Sequence, residues 1–203
     1  EQQQSTKIET ELKQASYTEN VSDIVATGYE ENIETDMYEG MAISIVDPYI
    51  NVYAATDEES EVVGRMYNEC IAKALEVGET WTKISSGDLT GFIKTSALCF
   101  GDEAEVINSD NEVIATVTAE SASVYLSEEM VTASDFVTKD STYTAVAKSN
   151  TYVVLLMDEQ KVYISLSDVS ISYGLEDGYT SEEAAARDAA EEAARKAAEE
   201  ERR

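Results

Sequence analysis

TWTKISSGDLTGFIKTSAL, residues 80–98, aligns without a gap on TYVVLLMDEQKVYISLSDV, residues 151–169. Trp81 falls on Tyr152 and Phe92-Ile93 on Tyr163-Ile164. Upstream, INVYAATDEE (50–59) aligns on ASVYLSEEMV (122–131), so that Val52-Tyr53 matches Val124-Tyr125. The offset is 72 residues in the upstream pair and 71 in the downstream pair, so one deletion separates them. What repeats is the phasing of apolar and aromatic residues. Alternation with period two is the mark of strands with one buried face.

The chain between these blocks has the same texture. Short alternating or β-branched runs occupy Ala42–Val46, Ile50–Tyr53, Val62–Met66, Ile71–Leu75, Thr80–Ile84 and Thr90–Ile93. A second set follows at Val113–Val117, Ala122–Leu126, Asp135–Val137, Tyr143–Ala147, Tyr152–Leu156 and Lys161–Ile164. Short strands at 8–12-residue spacing predict small β-barrels or sandwiches. A repeat of about 58 residues is marginal for a lone core, and a large ring such as Trp81 helps fill it. Gly91 at a strand start suits a tight corner, and Gly64 after Val62-Val63 suits a bulge.

Five ordered pieces of the first repeat resemble the bacterial SH3 (SH3b) family: Ile50-Asn51-Val52, Val62-Val63-Gly64, Trp81-Thr82-Lys83-Ile84, Thr90-Gly91-Phe92-Ile93 and Ala97-Leu98. The stretch after the first of them, Tyr53-Ala54-Ala55-Thr56, departs from the family pattern. The second repeat departs further, with no Trp and no Gly at the position of Gly91. The resemblance implies a mainly β fold: two small SH3-like β-barrels in tandem, a short N-terminal helical segment and a C-terminal Ala/Glu-rich single helix. The expected division is 1–40 as a polar, helical segment, 41–100 as the first barrel, 101–112 as a linker, 113–173 as the second, divergent barrel, and 174–203 as linker and exposed helix.

Both flanks have local signals. Ile8–Ala15 and Val21–Ile33 are compatible with helix, the second with Ile24, Val25 and Tyr29 at helical spacing and Ser22 as a candidate cap. At the other end, Thr180 and Glu183 form a capping-box pair. Glu183→Arg187, Glu191→Arg195 and Glu192→Lys196 are charge pairs at i,i+4. The apolar residues of this helix are all alanine, which predicts an exposed rod with few contacts to the barrels. The chain starts at Glu1 and reaches Arg203 without a helix stop signal, so a removed leader or a trimmed gene, and a longer natural chain, are expected.

Composition limits the chemistry. Fourteen Lys and Arg against 42 Asp and Glu give a net charge of −28, which repels nucleic acid and anionic membrane surfaces. No apolar run of about 18 residues is present, so no membrane insertion is expected. The chain has no histidine, which removes Ser-His-Asp and Cys-His catalysis and histidine-ligated metals from this chain. Cys70 and Cys99 allow one optional bridge or two buried thiols. The runs Asp57-Glu58-Glu59-Ser60-Glu61 and Asp102-Glu103-Ala104-Glu105 lack the spacing and glycine of a calcium loop and read as solvated charge. Neither a metal nor a cofactor is expected.

The layout as a whole, an acidic start, two such repeats, then an Ala/Glu helix, resembles the front half of clostridial cell-wall peptidases, in which an NlpC-type cysteine peptidase domain follows. That resemblance implies an extracellular or cell-wall location, peptidoglycan or its stem peptide as partner, and a C-terminal catalytic domain missing from this chain. The candidate ligand-binding residues are Tyr49, Tyr53, Trp81 and Phe92, with Tyr67 beside them, since SH3-type grooves hold extended ligands on aromatics. For Trp81 and Phe92 a place in the barrel core carries more weight than a place in the groove. A structural or protein-interaction module, regulating the enzyme or mediating dimerisation, is the alternative to wall binding.

Overall fold

The computed structural model describes residues 36–202. The helical readings at Ile8–Ala15 and Val21–Ile33 lie outside the described residues. Seven strands make most of a first sheet: β1 (Met41–Ser44), β2 (Tyr49–Tyr53), β3 (Val62–Tyr67), β4 (Ile71–Val77), β5 (Trp81–Ser86), β6 (Leu89–Lys94) and β7 (Leu98–Phe100). Helix α1 (Gly101–Ile107) follows. A second sheet contains β8 (Ile114–Val117), β9 (Ser121–Tyr125), β10 (Ala133–Thr138), β11 (Thr142–Lys148), β12 (Tyr152–Met157), β13 (Gln160–Ser165) and β14 (Val169–Ser172). The chain then returns to the first sheet as β15 (Tyr179–Thr180) and leaves as helix α2 (Ser181–Glu201).

The first sheet has the order β15-β3-β2-β6-β5-β4-β1-β7 and the second β10-β9-β13-β12-β11-β8-β14. Without β15 the two orders are the same, strand for strand, and both sheets are built of antiparallel pairs. Neither sheet closes its ladder of hydrogen bonds into a barrel. The first nevertheless curls over a core. Met66 on β3 and Leu98 on β7, far apart in hydrogen-bond order, belong to one apolar cluster with Val52, Ile84, Leu89 and Ile93. The repeat alignment shows in that core and its equivalent: Val52 and Val124, Ile84 and Leu155, and Ile93 and Ile164 are all buried. In both sheets a short 3-10 turn, Thr95–Ala97 or Leu166–Asp168, leads into the last strand.

The two glycines mark close backbone approaches. A Cβ on Gly91 would lie 2.6 Å from the Tyr53 carbonyl oxygen, where β2 crosses β6. A Cβ on Gly64 would run into the Tyr179 carbonyl oxygen. The register of β2 on β3 shifts beside Gly64, between Val52 and Tyr53, as a bulge requires.

Residues 101–112, expected as a linker, are part of the fold. Ala104 of α1 is fully buried, and Asn108 donates to the Tyr38 hydroxyl (2.8 Å) and the Tyr173 carbonyl (2.7 Å). Strand β1 is buried on both faces. Ala42 points into the first core, whereas Met41 and Ile43 join a second cluster with Tyr38, Ala104, Val153, Leu155 and Tyr173. One apolar core therefore extends from β1 of the first sheet through the second. Tyr173 closes the seam, its hydroxyl donating to the Met37 carbonyl at 2.7 Å and its ring 5.2 Å from that of Tyr38. Burial pushes the Tyr173 phenol well above its usual pKa.

The segment before α2 is also bound rather than loose. Ile71 N–H donates to the Glu176 carbonyl (2.9 Å), Gly178 N–H donates to Ser86 Oγ (2.7 Å), and β15 pairs with β3. Helix α2 starts with the predicted capping box of Thr180 and Glu183. The expectation of few contacts holds only beyond its second turn. Ala184 is buried, Ser181 Oγ donates to the Val62 carbonyl (2.8 Å), and Asp188 pairs with Arg65 at 2.8 Å. Cys70 and Cys99 are both buried free thiols, in different clusters, and burial pushes both pKa values up. Among the described residues no helix is long and apolar enough to cross a membrane.

Candidate functional site

Strand alternation decides which side chains the first sheet shows to solvent. On β5, Thr82 and Ile84 point inward while Trp81 and Lys83 point outward. On β6, Gly91 and Ile93 point inward while Phe92 and Lys94 point outward. Register places Lys83 opposite Phe92 and Trp81 opposite Lys94. Tyr53, at the end of β2, is the cross-strand partner of Phe92 on its other side. Tyr53, Trp81 and Phe92 thus form one half-buried aromatic platform. The Tyr53 and Trp81 rings meet edge to face, with centroids 5.7 Å apart.

Two cations belong to this platform. The Lys94 ammonium lies 4.0 Å from the centroid of the Trp81 ring, and that of Lys83 lies 5.8 Å from the Phe92 centroid. Glu58 holds Lys94 at 2.7 Å. Glu58 is carried by the β2–β3 loop, which is tied by Ala54 N–H to the Glu61 carbonyl (2.8 Å) and by Glu59 N–H to Asp57 Oδ1 (3.0 Å). The acidic run 57–61 is therefore a structured turn that brings one carboxylate onto the platform. Lys83 has no ion pair among the described residues.

The four candidate residues do not all meet. Tyr49 stands apart, in a second aromatic group. Its ring lies 5.4 Å from Tyr67, and Tyr67 lies 5.3 Å from Tyr179. Arg65 covers Tyr49 at 4.3 Å, and Arg187 of α2 covers Tyr67 at 4.1 Å. This group is already filled by the chain's own helix and arginines. Trp81 and Phe92, weighed above as core, are instead outer-face residues, because the inward positions of their strands are taken by Ile84, Leu89 and Ile93.

The equivalent face of the second sheet is covered. Tyr152, aligned with Trp81, is 1% exposed and packs with Ala147, Val154, Met130 and Tyr163. Met130 comes from the β9–β10 loop, and Glu128 of the same loop accepts from the Tyr152 hydroxyl at 3.2 Å. In the first repeat the corresponding loop reaches Lys94 and leaves Trp81 half exposed.

The residues missed in sequence were the cations. Trp81-x-Lys83 and Phe92-x-Lys94 carry a usable signal, since residues two apart on a strand share a face. Arg65 and Glu58 gave no local signal, because their partners are distant in sequence; Arg187, expected to pair with Glu183, instead pairs with Glu191 and Glu176 and lies over the Tyr67 ring, while Glu183 is held in the capping box.

No family model and no curated protein matches this chain. Among solved structures it is similar to a NlpC/P60 family protein from Bacillus cereus ATCC 10987, with a TM-score of 0.29 and 12% identity, over 65% of this chain and 56% of that one. It is similar to NlpC2 from Trichomonas vaginalis, with a TM-score of 0.31 and 12% identity, over 68% of this chain and 48% of that one. It is also similar to NlpC1 from Trichomonas vaginalis, with a TM-score of 0.31 and 14% identity, over 71% and 47%. The chain spans about half the length of these proteins.

Proposed function

We propose that this chain is the non-catalytic wall-binding region of a secreted peptidoglycan hydrolase, in which two SH3b-like units hold a cysteine peptidase domain on its substrate. The observation that carries this reading is the Tyr53–Trp81–Phe92 platform with Lys83 and Lys94 at its rim. Half-exposed aromatics give sugar or peptide faces something to stack on, and the adjacent ammonium groups serve carboxylates. At a net charge of −28, long-range attraction to an anionic wall is not available. Affinity then comes from contact at the platform. The first unit dominates, because the β9–β10 loop covers the matching face of the second. In this reading the Cys-His peptidase chemistry, which needs a histidine this chain lacks, belongs to a separate domain. Peptidoglycan is the partner and the extracellular wall the location in this reading. Co-sedimentation of the chain with purified peptidoglycan tests it: binding supports the reading, and a chain that stays in the supernatant at every salt concentration removes it.

A second reading, an interaction module that regulates the enzyme or dimerises, is favoured by the second sheet. Leu126, Val131 and Phe136 at its β9–β10 edge are 57%, 83% and 65% exposed. Sedimentation equilibrium on the chain alone separates a dimer from a monomeric wall binder.

A further inference from the structure

The two sheets match in all but one strand position. Apart from β15 they have the same strand order, so β10 stands in the second sheet where β3 stands in the first. Register makes the match residue by residue. Asn51 and Val52 of β2 lie opposite Arg65 and Gly64, and their repeat equivalents, Ser123 and Val124 of β9, lie opposite Phe136 and Asp135. Both hairpins shift register at the same place, beside Tyr53 in one and beside its equivalent Tyr125 in the other. The far side differs. In the first sheet β15 pairs with β3, placing Tyr179 opposite Arg65, and Asp188 of α2 holds the Arg65 side chain. Among the described residues no strand lies beyond β10. Phe136, in the place of Arg65, is exposed.

β10 is also the longest edge. The other edge strands, β15, β7 and β14, have two, three and four residues, whereas β10 has six. A long edge is a template for an added strand, and short ones are poor templates. Lys139 N–H donates to the Glu120 carbonyl at 3.4 Å, so by alternation Phe136 and Thr138 turn their backbone groups outward. There the Phe136 N–H meets the chain's own Asp135 Oδ1 at 2.8 Å. Asp135 thereby guards the edge, and a cation that draws its carboxylate away frees the donor. Charge selects the same occupant. Residues 120–140 hold five acidic residues and one basic, Lys139, which pairs with Glu120 at 2.9 Å. This repels a second copy of the chain and attracts a basic partner.

The geometry points to the β10 edge as the acceptor of an extended, basic segment of a partner protein, added as an antiparallel strand in the way that β3 takes β15. A carbonyl of the segment accepts from the Phe136 N–H, a Lys or Arg pairs with Asp135, and an apolar side chain lies on the Phe136 ring. The inference rests on the interaction-module reading and is independent of the aromatic platform.

The test is an NMR titration of the full chain with a short, end-capped peptide in which Lys alternates with Val and Phe. Two comparison peptides carry Glu in place of Lys, or keep Lys but have the backbone amides of one edge methylated. An acidic chain attracts any basic peptide, so the methylated peptide, of equal charge but unable to extend a ladder, is the deciding arm. Shifts should centre on Ser134, Phe136 and Thr138, and the Phe136 amide should exchange more slowly when the peptide is bound. Methylation should weaken binding about tenfold, and the Glu peptide should not bind. Phe136→Lys, at an exposed position, should keep the spectrum of the folded chain and weaken the Lys peptide about tenfold. Equal binding of the methylated and unmethylated peptides, shifts scattered over other acidic surfaces, or a Phe136 amide already protected in the free chain to the level of the β9 amides would overturn the proposal. A concentration-dependent dimer that Phe136→Lys abolishes would also overturn it, while leaving the interaction-module reading in place with a second copy as occupant. Sedimentation with peptidoglycan should be the same for Phe136→Lys and the unaltered chain; a loss in the variant would overturn the independence of edge and platform.

Discussion

Trp81 and Ile93 sit on neighbouring strands and face opposite ways, and that difference sets what each substitution costs. Ile93 is fully buried in the first core, so Ile93→Ala should destabilise by about 3 kcal/mol through lost transfer energy and a cavity. Trp81 lies on the outer face between Tyr53 and Lys94, so Trp81→Ala should cost only about 1–2 kcal/mol, from lost ring and cation contacts. Urea melts of the two variants check this, and a larger loss for Trp81→Ala would return the ring to the core. The buried thiols give a pH signature. Cys70 and Cys99 hold their protons above the usual range when folded, as does the Tyr173 phenol. The unfolded chain gives up its thiol protons first, near pH 8.5 for an ordinary cysteine. The stability tied to these groups is therefore complete below about pH 8 and is lost as the pH rises through the higher folded values. Denaturation midpoints should be flat between pH 7 and 8 and fall above about pH 9; a rise there would contradict the burial of these groups. At this scale the sequence was legible where alternation was clean. Trp81 and Lys83 share a face by parity alone, as do Phe92 and Lys94, but parity says neither how the two strands are registered nor which face is the inner one. That was settled by the competing apolar residues Ile84, Leu89 and Ile93.

Each of the twelve predicted runs overlaps a strand, because each carries β-branched or aromatic residues between polar breaks. The strands that escaped, β7, β14 and β15, are short and follow 3-10 turns or loops, and their pairing partners lie far away in sequence. Helix α1 escaped because its acidic run resembles a linker and only Ala104 is buried. Yet β1 had a signal: Met41-Ala42-Ile43 does not alternate with polar residues, and such runs mark strands covered on both faces. Helix α2 shows the limit of reading a helix by its apolar residues. Its docking is made by Arg187 between the Tyr67 and Tyr179 rings and by Asp188 on Arg65, not by large apolar side chains. These exposed or half-exposed contacts together are worth about 1–2 kcal/mol. Removing residues 181–203 should lower the melting temperature by about 4 °C, while removing only 192–203 should leave it unchanged. Equal melting temperatures for both truncations would show that the docked turns contribute nothing.

On the scale of the whole molecule, the shared core decides cooperativity. Met41 and Ile43 of the first sheet lie in the cluster that fills the second, and Asn108 and Tyr173 bridge the seam with hydrogen bonds. Tandem repeats joined by a linker would melt separately. This arrangement predicts one calorimetric transition, with equal calorimetric and van't Hoff enthalpies; two resolved transitions would contradict the shared core. The proposed wall binding belongs to the same scale, because the chain's net charge would oppose an anionic wall polymer and the platform would have to hold it by contact. The most direct measurement is sedimentation with purified peptidoglycan, at low and high salt, of the unaltered chain beside Tyr53→Ala. Tyr53 lies on the platform's edge, so its truncation should leave the fold intact. The account predicts that the unaltered chain sediments, slightly more at high salt as screening relieves repulsion, and that Tyr53→Ala sediments several-fold less. Equal sedimentation of the two, or none by either, would contradict it.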